Sequence, residues 1–356
     1  MAMPFIIAEA GVNHNGDRER ALALVDAAAD AGADAVKFQT FSADRLVTAT
    51  SSKARYQIEN MGSDESQLEM LRALELSHEA HHELLARCRE RGIEFMSTAF
   101  DLQSLRFLIA LGIARVKIPS GDVTAHPLLL EAGRTGKPII LSTGMCTLAE
   151  IDQALAVLAF AFVGTQTPGS DAFLRAYRSE AGRAALAERV TILHCVTEYP
   201  APPAAVNLRA MGTIRAAFGL PVGYSDHANG IAIPVAAAAL GAVMIEKHFT
   251  LDRALPGPDH AASLEPGELK AMIAGIHDAV TALGDGVKEP NEAEMENRKV
   301  VRRSLHATQP IQAGELFGEA NVGVMRPGDG LAPALYWDLL GRVANRDYAP
   351  GERLEL

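Results

Sequence analysis

Short β-rich runs alternate eight times with Ala- and Leu-rich amphipathic stretches, and this alternation constrains the fold more than any other feature of the chain. The predicted strands cover residues 5–9, 34–39, 93–98, 114–119, 138–142, 190–195, 220–225 and 242–247. Helical periodicity occupies residues 18–31, 78–91, 102–111, 147–162, 207–218, 230–240 and 266–283. Such alternation predicts a parallel sheet covered by helices. Eight repeats in about 285 residues fit a closed (β/α)8 TIM barrel of the α/β class. An open doubly wound sheet is the alternative, although no G-x-G-x-x-G motif follows the first strand.

Three segments depart from this alternation. Residues 40–76 follow the second strand on the expected catalytic face, and we predict a partly helical lid there. Residues 160–189 precede the sixth strand and contain a turn-forming Gly/Thr/Pro/Ser cluster, so we expect a structural insertion far from the site. Residues 286–299 are charged and predict a linker, and residues 300–356 predict a small β-rich domain after a barrel domain of residues 1–285. The terminal domain contains one unit twice, Ile311-Gln-Ala-Gly-Glu-Leu and Tyr348-Ala-Pro-Gly-Glu-Arg-Leu.

The composition excludes several classes of partner. A net charge of −11 argues against a nucleic-acid or anionic-membrane surface, because both select for basic faces. No apolar run approaches the roughly 18 residues that span a bilayer, and the first residues lead into a predicted strand rather than a signal peptide. The odd number of cysteines, Cys88, Cys146 and Cys195, fits no disulfide framework and predicts a reducing compartment. We therefore expect a cytoplasmic protein that binds neither nucleic acid nor a membrane.

Polar side chains cluster where the predicted strands end. His227 and His248 are the most informative, because each follows a short apolar run and the two are separated by one βα repeat. Their imidazoles would lie side by side at the carboxyl ends of neighbouring strands, which is the catalytic face of this fold. The other candidates at this level are Glu9, Lys37, Gln39, Thr98, Lys117, Ser120, Ser142, Tyr199 and Ser225. Each has a structural alternative as a helix cap, a turn residue or a hydrogen-bonded core residue, but their shared level favours a site.

The residue types indicate the chemistry of that site. Two lysines, several hydroxyls and backbone N–H groups at helix starts suit a phosphate or another multiply charged anion. Two histidines, with further positions left to water and substrate oxygen, suit a divalent Lewis acid such as Mn²⁺. The carboxylates of Glu9, Glu198 and Asp259 are available for acid–base work or for binding hydroxyls. The pattern predicts a metal-assisted reaction between a phosphorylated small molecule and an oxygen-rich partner.

Long motifs along nearly the whole chain carry a resemblance to one family. They are Ile7-Ala-Glu-Ala-Gly-Val-Asn-His-Asn-Gly, Val36-Lys-Phe-Gln-Thr, Lys117-Ile-Pro-Ser-Gly-Asp, Leu141-Ser-Thr-Gly-Met, Leu193-His-Cys, Glu198-Tyr-Pro, Gly223-Tyr-Ser-Asp-His, Glu246-Lys-His-Phe-Thr-Leu-Asp, Gly257-Pro-Asp-His and Ala262-Ser-Leu-Glu-Pro. Together they resemble the sialic acid synthases, that is, N-acetylneuraminate synthase and the related legionaminic and pseudaminic acid synthases.

The resemblance implies a reaction and a domain arrangement. The reaction condenses phosphoenolpyruvate with an N-acetylmannosamine-type sugar and water to give N-acetylneuraminate, or a related nonulosonate, plus phosphate. A divalent metal, Mn²⁺ with Mg²⁺ or Co²⁺ as alternatives, would polarise the aldehyde of the open-chain sugar. Residues 300–356 would form an antifreeze-like (SAF) domain that reaches, in a domain-swapped homodimer, into the partner's barrel.

The resemblance also implies roles for individual residues. The metal ligands would be His227 and His248, and the catalytic residues would be Glu9, Lys37 and Lys117, with Glu9 handling protons. The lysines would bind phosphoenolpyruvate together with Thr98, Ser120, Ser142 and Ser225. The sugar would contact Gln39, Tyr199, Asp259 and Arg326, the last through the sugar's acyl group. Thr197 departs from the pattern, because some members have Asn at that position, and this puts one phosphate contact in doubt.

Two other classes of function remain open on the sequence alone. A Schiff-base aldolase would use Lys37 or Lys117 as its nucleophile. A non-catalytic carbohydrate-binding protein would be built around the terminal β domain, and it would leave the strand-end residues unexplained. Within the resembling family the sugar is also open: N-acetylmannosamine is the first expectation, and the diacetamido precursors of legionaminic or pseudaminic acid differ from it only by small groups.

Overall fold

The structure is a computed structural model that describes residues 2–61 and 65–356. The chain divides into two compact units, Met1–Gly284 and Asp285–Leu356. No helix among the described residues is long and apolar enough to cross a membrane. The thiols of Cys88, Cys146 and Cys195 are free.

The first unit is a closed barrel of eight parallel strands whose order around the barrel follows the sequence. The strands are β1 Phe5–Gly11, β2 Ala35–Thr40, β3 Glu94–Ala99, β4 Val116–Ile118, β5 Ile139–Ser142, β6 Val190–Cys195, β7 Val222–Asp226 and β8 Met244–His248. Closure occurs through parallel pairing of β1 with β8. The predicted TIM barrel is therefore confirmed, and the open doubly wound alternative is wrong.

Helices lie between successive strands in the chain and after β8. They are α1 Arg18–Ala31, α2 Ala43–Leu46, α3 Arg55–Met61, α4 Gln67–Ala73, α5 His78–Arg91, α6 Leu102–Leu111, α7 His126–Arg134, α8 Leu148–Val163, α9 Ser170–Arg178, α10 Glu180–Arg189, α11 Pro203–Val206, α12 Ala210–Phe218, α13 Ala232–Ala239 and α14 Pro266–Ala282. Polar side chains begin several of them: Asp17 and Asp101 accept backbone N–H bonds at α1 and α6, and Thr147 forms a capping box with Glu150 at α8. Helix α7 was not predicted.

The inside of the barrel is built in layers, because every second side chain of a strand points inward. The lower layer is apolar and consists of Ile7, Ala35, Met96, Ile140, Leu193 and Met244. Two residues further along the same strands, the inward positions become polar, namely Glu9, Lys37, Thr98, Ser142, Cys195 and Glu246. The apolar layer thus closes the barrel below the polar one.

The two long insertions are both partly helical. Residues 40–76 contain the short helices α2, α3 and α4, and the described part of this lid forms a small apolar cluster around Phe41, Met70 and Leu74. Residues 160–189 contain α9 and α10, which pack against α8 and lead into the amino end of β6. The turn-rich cluster expected there is confined to the connection between α8 and α9.

The second unit contains a small sheet and further helices. Strand β9 (Ser304–Ala307) pairs antiparallel with β10 (Val322–Met325), and the helices are α15 Glu292–Val301 and α16 Tyr336–Leu339. The segment expected as a linker, 286–299, therefore includes most of α15. The repeated units pair with each other: Ile311 and Tyr348 exchange backbone hydrogen bonds of 3.0 and 2.8 Å. Each unit closes the same turn through its glutamate, since Gln312 N donates to Glu315 and Ala349 N donates to Glu352.

Candidate active site

Most of the predicted site residues line one cavity at the carboxyl ends of the barrel strands. The cavity has a volume of about 230 Å³. Its lining includes Glu9, Lys37, Gln39, Thr98, Lys117, Ser120, Ser142, Tyr199, Ser225, His227 and His248. Asp259 lines an adjoining cavity instead. Arg326 follows β10 in the second unit and is exposed, so its predicted contact with a sugar stays a prediction.

Three predicted site residues converge beside Gly11. A Cβ at this glycine would lie 3.3 Å from Glu9 Oε1, 3.4 Å from Gln39 Nε2 and 3.5 Å from His248 Cε1. Gly11 adopts a φ of +53°, which favours glycine, and the pairing of β1 with β2 shifts register between Glu9 and Gly11. This irregularity leaves the three functional groups around one small open space.

Two ammonium groups and two carboxylates form a charged cluster in the cavity. Lys37 Nζ lies 2.5 Å from Glu9 Oε2 and 3.7 Å from Glu246 Oε2. Lys117 Nζ donates to the two carboxylate oxygens of Glu246 at 2.8 and 2.9 Å, and Ser225 Oγ donates to Oε1 at 2.9 Å. All of these side chains are buried. Opposite charges are matched in number, so the cluster is held together by buried ion pairs.

The pKa values of this cluster shift in different directions. Burial raises the pKa of Glu9 to about 7, although Lys37 opposes the shift. Burial also acts to raise the pKa of Glu246, but the attraction of Lys117 and Lys37 outweighs it and holds that pKa well below its usual range. Burial lowers the pKa of Lys117. Glu9 can therefore gain or lose a proton near neutral pH, whereas Glu246 remains a carboxylate.

Burial also acts on Lys37, with the opposite result. It would lower the pKa of the ammonium group, but the carboxylates of Glu246 and Glu9 more than offset it and raise that pKa. Lys37 Nζ in addition donates to Thr98 Oγ1 at 3.0 Å. Lys37 therefore remains a cation and is a poor Schiff-base nucleophile.

Hydroxyl, thiol and backbone groups meet around Gly144, after β5. Gly144 N donates to Ser120 Oγ at 2.8 Å and to Cys195 Sγ at 3.0 Å. A Cβ at Gly144 would lie 2.2 Å from Thr197 Oγ1, so only glycine fits between these groups. The hydroxyls of Ser142 and Thr197 are buried without a hydrogen-bond partner in the described chain. Buried unpaired hydroxyls in a cavity are available to a polar ligand.

The imidazoles of His227 and His248 lie next to each other in the lining of the cavity, with their ring planes at 67°. Their ring centroids are 5.5 Å apart. His227 Nδ1 donates to the carbonyl oxygen of Val196 at 2.6 Å, so Nε2 carries the lone pair in the neutral ring, with Ser225 Oγ at 3.4 Å from it. Burial lowers the pKa of His227 to about 4 and that of His248 well below its usual range. Both rings are therefore neutral at physiological pH, the state in which imidazole binds metals.

These two histidines are not part of a larger ligand cluster. Within residues 2–61 and 65–356, no group of three or more His, Cys, Asp or Glu side chains is arranged to hold a metal ion by itself. His248 Nδ1 is buried and lies 3.8 Å from Asp259 Oδ2, beyond hydrogen-bond range. The protein thus offers a pair of neutral nitrogen donors, and further ligands would have to come from water or substrate.

A second cavity of about 290 Å³, here called the vestibule, adjoins the first. Both cavities are lined by Gln39, Tyr56, Phe100, Tyr199 and His248. The vestibule adds Asp259 and an apolar wall that comprises Val12, Phe41, Leu46, Val47, Met70, Leu71 and Leu74. Most of this wall belongs to the lid that follows β2. The vestibule therefore combines a polar side, to which Gln57 and Gln67 also contribute, with an apolar wall, and it suits a small molecule that carries both polar and apolar groups.

The lid is tied to the site by aromatic and polar contacts. The ring of Tyr56 on α3 lies 4.9 Å from that of Tyr199, which lies 4.1 Å from the imidazole of His227. Asn60 Nδ2 donates to the carbonyl of Pro258 at 2.6 Å, next to Asp259. Burial raises the pKa of Asp259 to about 6. The predicted lid thus contacts Tyr199, which lies beside His227, and Pro258, which precedes Asp259.

Glu246 is the main site residue to which no role was assigned from the sequence, although it belongs to the polar residues at the end of the eighth strand. Its carboxylate accepts a hydrogen bond from Lys117 and forms an ion pair with Lys37, and it lines the cavity together with His248. The signal that could have identified it is the period of two, because Glu246 precedes His248 by two residues and must share its face. Its pairing with Lys117 joins strands on different sides of the barrel and has no local sequence signature.

Comparisons with known proteins give matches along nearly the whole chain, and these matches agree with one another. The NeuB family matches residues 24–288, and the SAF domain matches residues 302–355. The N,N'-diacetyllegionaminic acid synthase of Campylobacter jejuni is 46% identical over 352 residues, covering 99% of each chain. That of Legionella pneumophila is 45% identical and covers 98% of this chain and 93% of its own. A crystal structure of N-acetylneuraminic acid synthetase from Leptospira borgpetersenii, in complex with citrate, is 33% identical with a TM-score of 0.67, covering 83% of this chain and 90% of that one.

Proposed function

Because the chain belongs to the NeuB family, we propose that it is a nonulosonic acid synthase, which condenses phosphoenolpyruvate with an acylated amino sugar and water and releases phosphate. The observation that carries this proposal is the convergence of two lysines, unpaired hydroxyls and two neutral imidazoles in one cavity at the catalytic face of the barrel. Relatives that match almost the full length of the chain are named as synthases of this class.

Phosphoenolpyruvate would bind at the charged cluster and the groups around Gly144. Lys37 and Lys117 supply positive charge, and the unpaired hydroxyls of Ser142 and Thr197 supply hydrogen-bond donors. An incoming anion would compete with Glu9 and Glu246 for the ammonium groups, because each lysine is paired with a carboxylate. The anion adds negative charge to a cluster whose charges are matched, so a lysine that turns toward it must stay close to its glutamate as well.

The sugar would occupy the vestibule, and we favour a diacetamido sugar over N-acetylmannosamine. Two relatives that match nearly the whole chain are named as synthases of N,N'-diacetyllegionaminic acid, which carries a second acetyl group. The apolar wall built by Leu46, Met70 and Leu71 can receive an acyl methyl group. Gln39 and Asp259 would bind hydroxyl or amide groups at the polar side. N-acetylmannosamine, our first expectation from the sequence, becomes the alternative.

The donor set fits a divalent cation, for which we propose Mn²⁺, with Mg²⁺ or Co²⁺ as alternatives. His227 and His248 would hold it, because the Nε2 of His227 is unprotonated, with only a long 3.4 Å contact to Ser225 Oγ among the hydrogen bonds of the described chain, and His248 Nδ1 is buried without a partner there. When bound, such a cation supplies Lewis acidity at the sugar carbonyl.

The residues of the chain account for the remaining chemistry. Carbon 3 of phosphoenolpyruvate forms a bond with the carbonyl carbon of the open-chain sugar as the carbonyl π bond breaks, and the sugar oxygen takes a proton to become a hydroxyl group. Water adds to carbon 2 with loss of one proton, and the hydroxyl group so formed loses its second proton to become the 2-keto oxygen as the bond from carbon 2 to the bridging oxygen breaks. Phosphate then leaves with that oxygen. Glu9, with a pKa of about 7, takes the proton from the attacking water. Lys37 and Lys117 orient the phosphorylated substrate and stabilise its charge.

We further propose that the enzyme acts as a domain-swapped homodimer. Helix α15 has no buried residue and carries Met295, Val300 and Val301 exposed to solvent, which suits a covered position in an assembly. Arg326 would then serve the barrel of the partner subunit. Mixing Arg326→Ala and His248→Ala proteins tests this, since swapped dimers would regain part of the activity and independent subunits would not.

A phosphate-release assay tests the proposed reaction. Purified protein is stripped of metal and incubated with phosphoenolpyruvate and one of three sugars, N-acetylmannosamine or the diacetamido precursor of legionaminic or pseudaminic acid, with and without Mn²⁺. We expect metal-dependent release that is fastest with the legionaminic precursor.

The matched variants for this assay lie on β4 and at the residue just before it. Lys117→Met should abolish phosphate release, because it removes an ammonium group from the cavity. Arg115→Met should retain it, since Arg115 pairs with Glu94 where β3 and β4 begin, at the end away from the cavity. Absence of phosphate release with every sugar would contradict the synthase proposal.

A further inference from the structure

A second buried ion pair lies directly behind the imidazole pair, on the outer side of the barrel wall. Lys247 stands between Glu246 and His248, which both line the cavity. Because neighbouring side chains of a strand point to opposite faces, Lys247 points toward the surrounding helices. Its Nζ lies 2.6 Å from Asp226 Oδ2, and both side chains have no solvent exposure.

This pair is the centre of a closed hydrogen-bond network around His227. Asp226 Oδ1 accepts bonds from Tyr224 OH at 2.9 Å and from Ala228 N at 3.1 Å. Lys247 Nζ also donates to the carbonyl oxygen of Ala228. The residues on either side of His227 are therefore both held by β8, the strand that carries His248.

Stability alone does not account for this pair. Removing a carboxylate and an ammonium group from water is costly, and apolar side chains of similar size often serve at least as well in buried positions. An apolar pair, however, forms no directional hydrogen bonds and so does not fix the relative position of the two strands as closely. Asp226 and Lys247 are register neighbours on β7 and β8, and the ion pair fixes the turn after β7 relative to β8 at this level.

We propose that Asp226 and Lys247, called here the outer ion pair, are positioning residues that hold the imidazoles of His227 and His248 at the separation required to share one divalent cation. The proposal rests on the proposed function in one respect, namely that these imidazoles are the metal ligands. The outer ion pair touches neither substrate nor metal. It acts through the backbone of the turn and through the bond from His227 Nδ1 to the carbonyl of Val196.

The test compares variants that leave no unpaired buried charge. Lys247→Met alone would strand the Asp226 carboxylate and can prevent folding, so the main variant is the double substitution Asp226→Asn with Lys247→Met. Lys247→Arg keeps the charge as a conservative variant. The matched control is Glu94→Gln with Arg115→Met, which removes an ion pair with two 2.8 Å hydrogen bonds at the amino end of β3. Circular dichroism and denaturant unfolding establish which proteins are folded.

Two measurements on the full chain provide the readout. The first is calorimetric titration of metal-free protein with Mn²⁺ alone. We expect the double variant to bind about tenfold more weakly or worse, the range seen when outer support of metal ligands is lost. Lys247→Arg should recover part of that loss, and the control pair should remain within about twofold of wild type.

The second measurement is NMR of [¹⁵N]histidine-labelled, metal-free protein, with the His227 signals assigned from a His227→Gln variant. Wild type should show the Nδ1-protonated tautomer, and the double variant should shift or broaden these signals. A folded double variant with unchanged Mn²⁺ affinity and unchanged His227 signals would overturn the proposal. Failure of wild type to bind Mn²⁺ would count against the metal site itself, and the NMR comparison would still decide the role of the outer ion pair.

Discussion

Glu9→Gln converts a buried carboxyl of the cavity into an amide of nearly the same size, and its effect on stability should depend on pH in a defined way. Burial raises the pKa of Glu9 from 4.5 in the unfolded chain to about 7 in the folded protein. Between these values the folded state binds more protons than the unfolded state, so this carboxyl's contribution to the free energy of unfolding falls as pH rises. A difference of about 2.5 pH units corresponds to about 3–4 kcal/mol over the whole titration, at roughly 1.4 kcal/mol per unit.

The measurement is the difference between wild type and Glu9→Gln in the free energy of unfolding, taken across this pH range. Denaturant unfolding should be followed by far-ultraviolet circular dichroism, since the only tryptophan in the sequence, Trp337, belongs to the second unit and not to the barrel unit. Buried histidines such as His227 titrate in both proteins and cancel in the difference. We expect wild type to lose about 3 kcal/mol relative to the variant between pH 4.5 and pH 7.

A flat difference over that range would refute the reasoning that Glu9 is protonated in the folded protein near neutrality. Glu94→Gln is the control, because it removes an ion-paired carboxylate of the same barrel outside the cavity. The same flat result would also remove the basis for Glu9 as the residue that accepts a proton from water, whereas Lys37 and Lys117 would keep their proposed roles in binding phosphate.

Three further predictions follow from the site. His248→Ala should remove Mn²⁺ dependence and nearly all turnover because it deletes one of two nitrogen donors, and an active variant that still responds to Mn²⁺ would contradict the ligand assignment. With ¹⁸O at the bridging position of phosphoenolpyruvate, the label should appear in released phosphate by mass spectrometry; unlabelled phosphate would exclude cleavage between carbon and oxygen. Gly144→Ala should destabilise the protein by about 1–3 kcal/mol and raise the KM for phosphoenolpyruvate, because its Cβ would lie 2.2 Å from Thr197 Oγ1. A KM for phosphoenolpyruvate equal to that of wild type would show that Thr197 can move away from the added methyl group without affecting the site.

The repeating architecture was accessible from the sequence because it depends on local periodicity. Each predicted strand overlaps an observed one, and several helix bounds agree, such as 18–31 and 78–91. Helix α7 was missed even though Leu128, Leu129 and Ala132 form a buried face, because Gly133 and the Thr-Gly-Lys-Pro turn that follows weaken the helical signal. The lid was predicted only as partly helical, since its helices are short and stabilised by packing around Phe41 and Met70.

The site was predictable as a set of residue types but not as a set of contacts. Strand-end positions identified both lysines and both histidines, because the carboxyl ends of all eight strands meet at one face. The pairing of Lys117 with Glu246 joins residues 129 positions apart and depends on barrel closure, which no local pattern encodes. The same applies to the pKa of Glu9, since burial by the closed barrel is its largest cause.

The alternation of inward and outward side chains along β8 accounts for its part in the apolar layer, in the site and in the outer ion pair. Along β8, Met244 belongs to the apolar layer, Glu246 to the charged cluster and His248 to the imidazole pair, in steps of two. Lys247, between the last two, faces outward and pairs with Asp226. A register slip of one residue would bury Glu246 and His248 against the helices and turn Lys247 into the cavity. The charges on both faces therefore select the same register, so the residues that serve the site also specify the strand alignment that forms it.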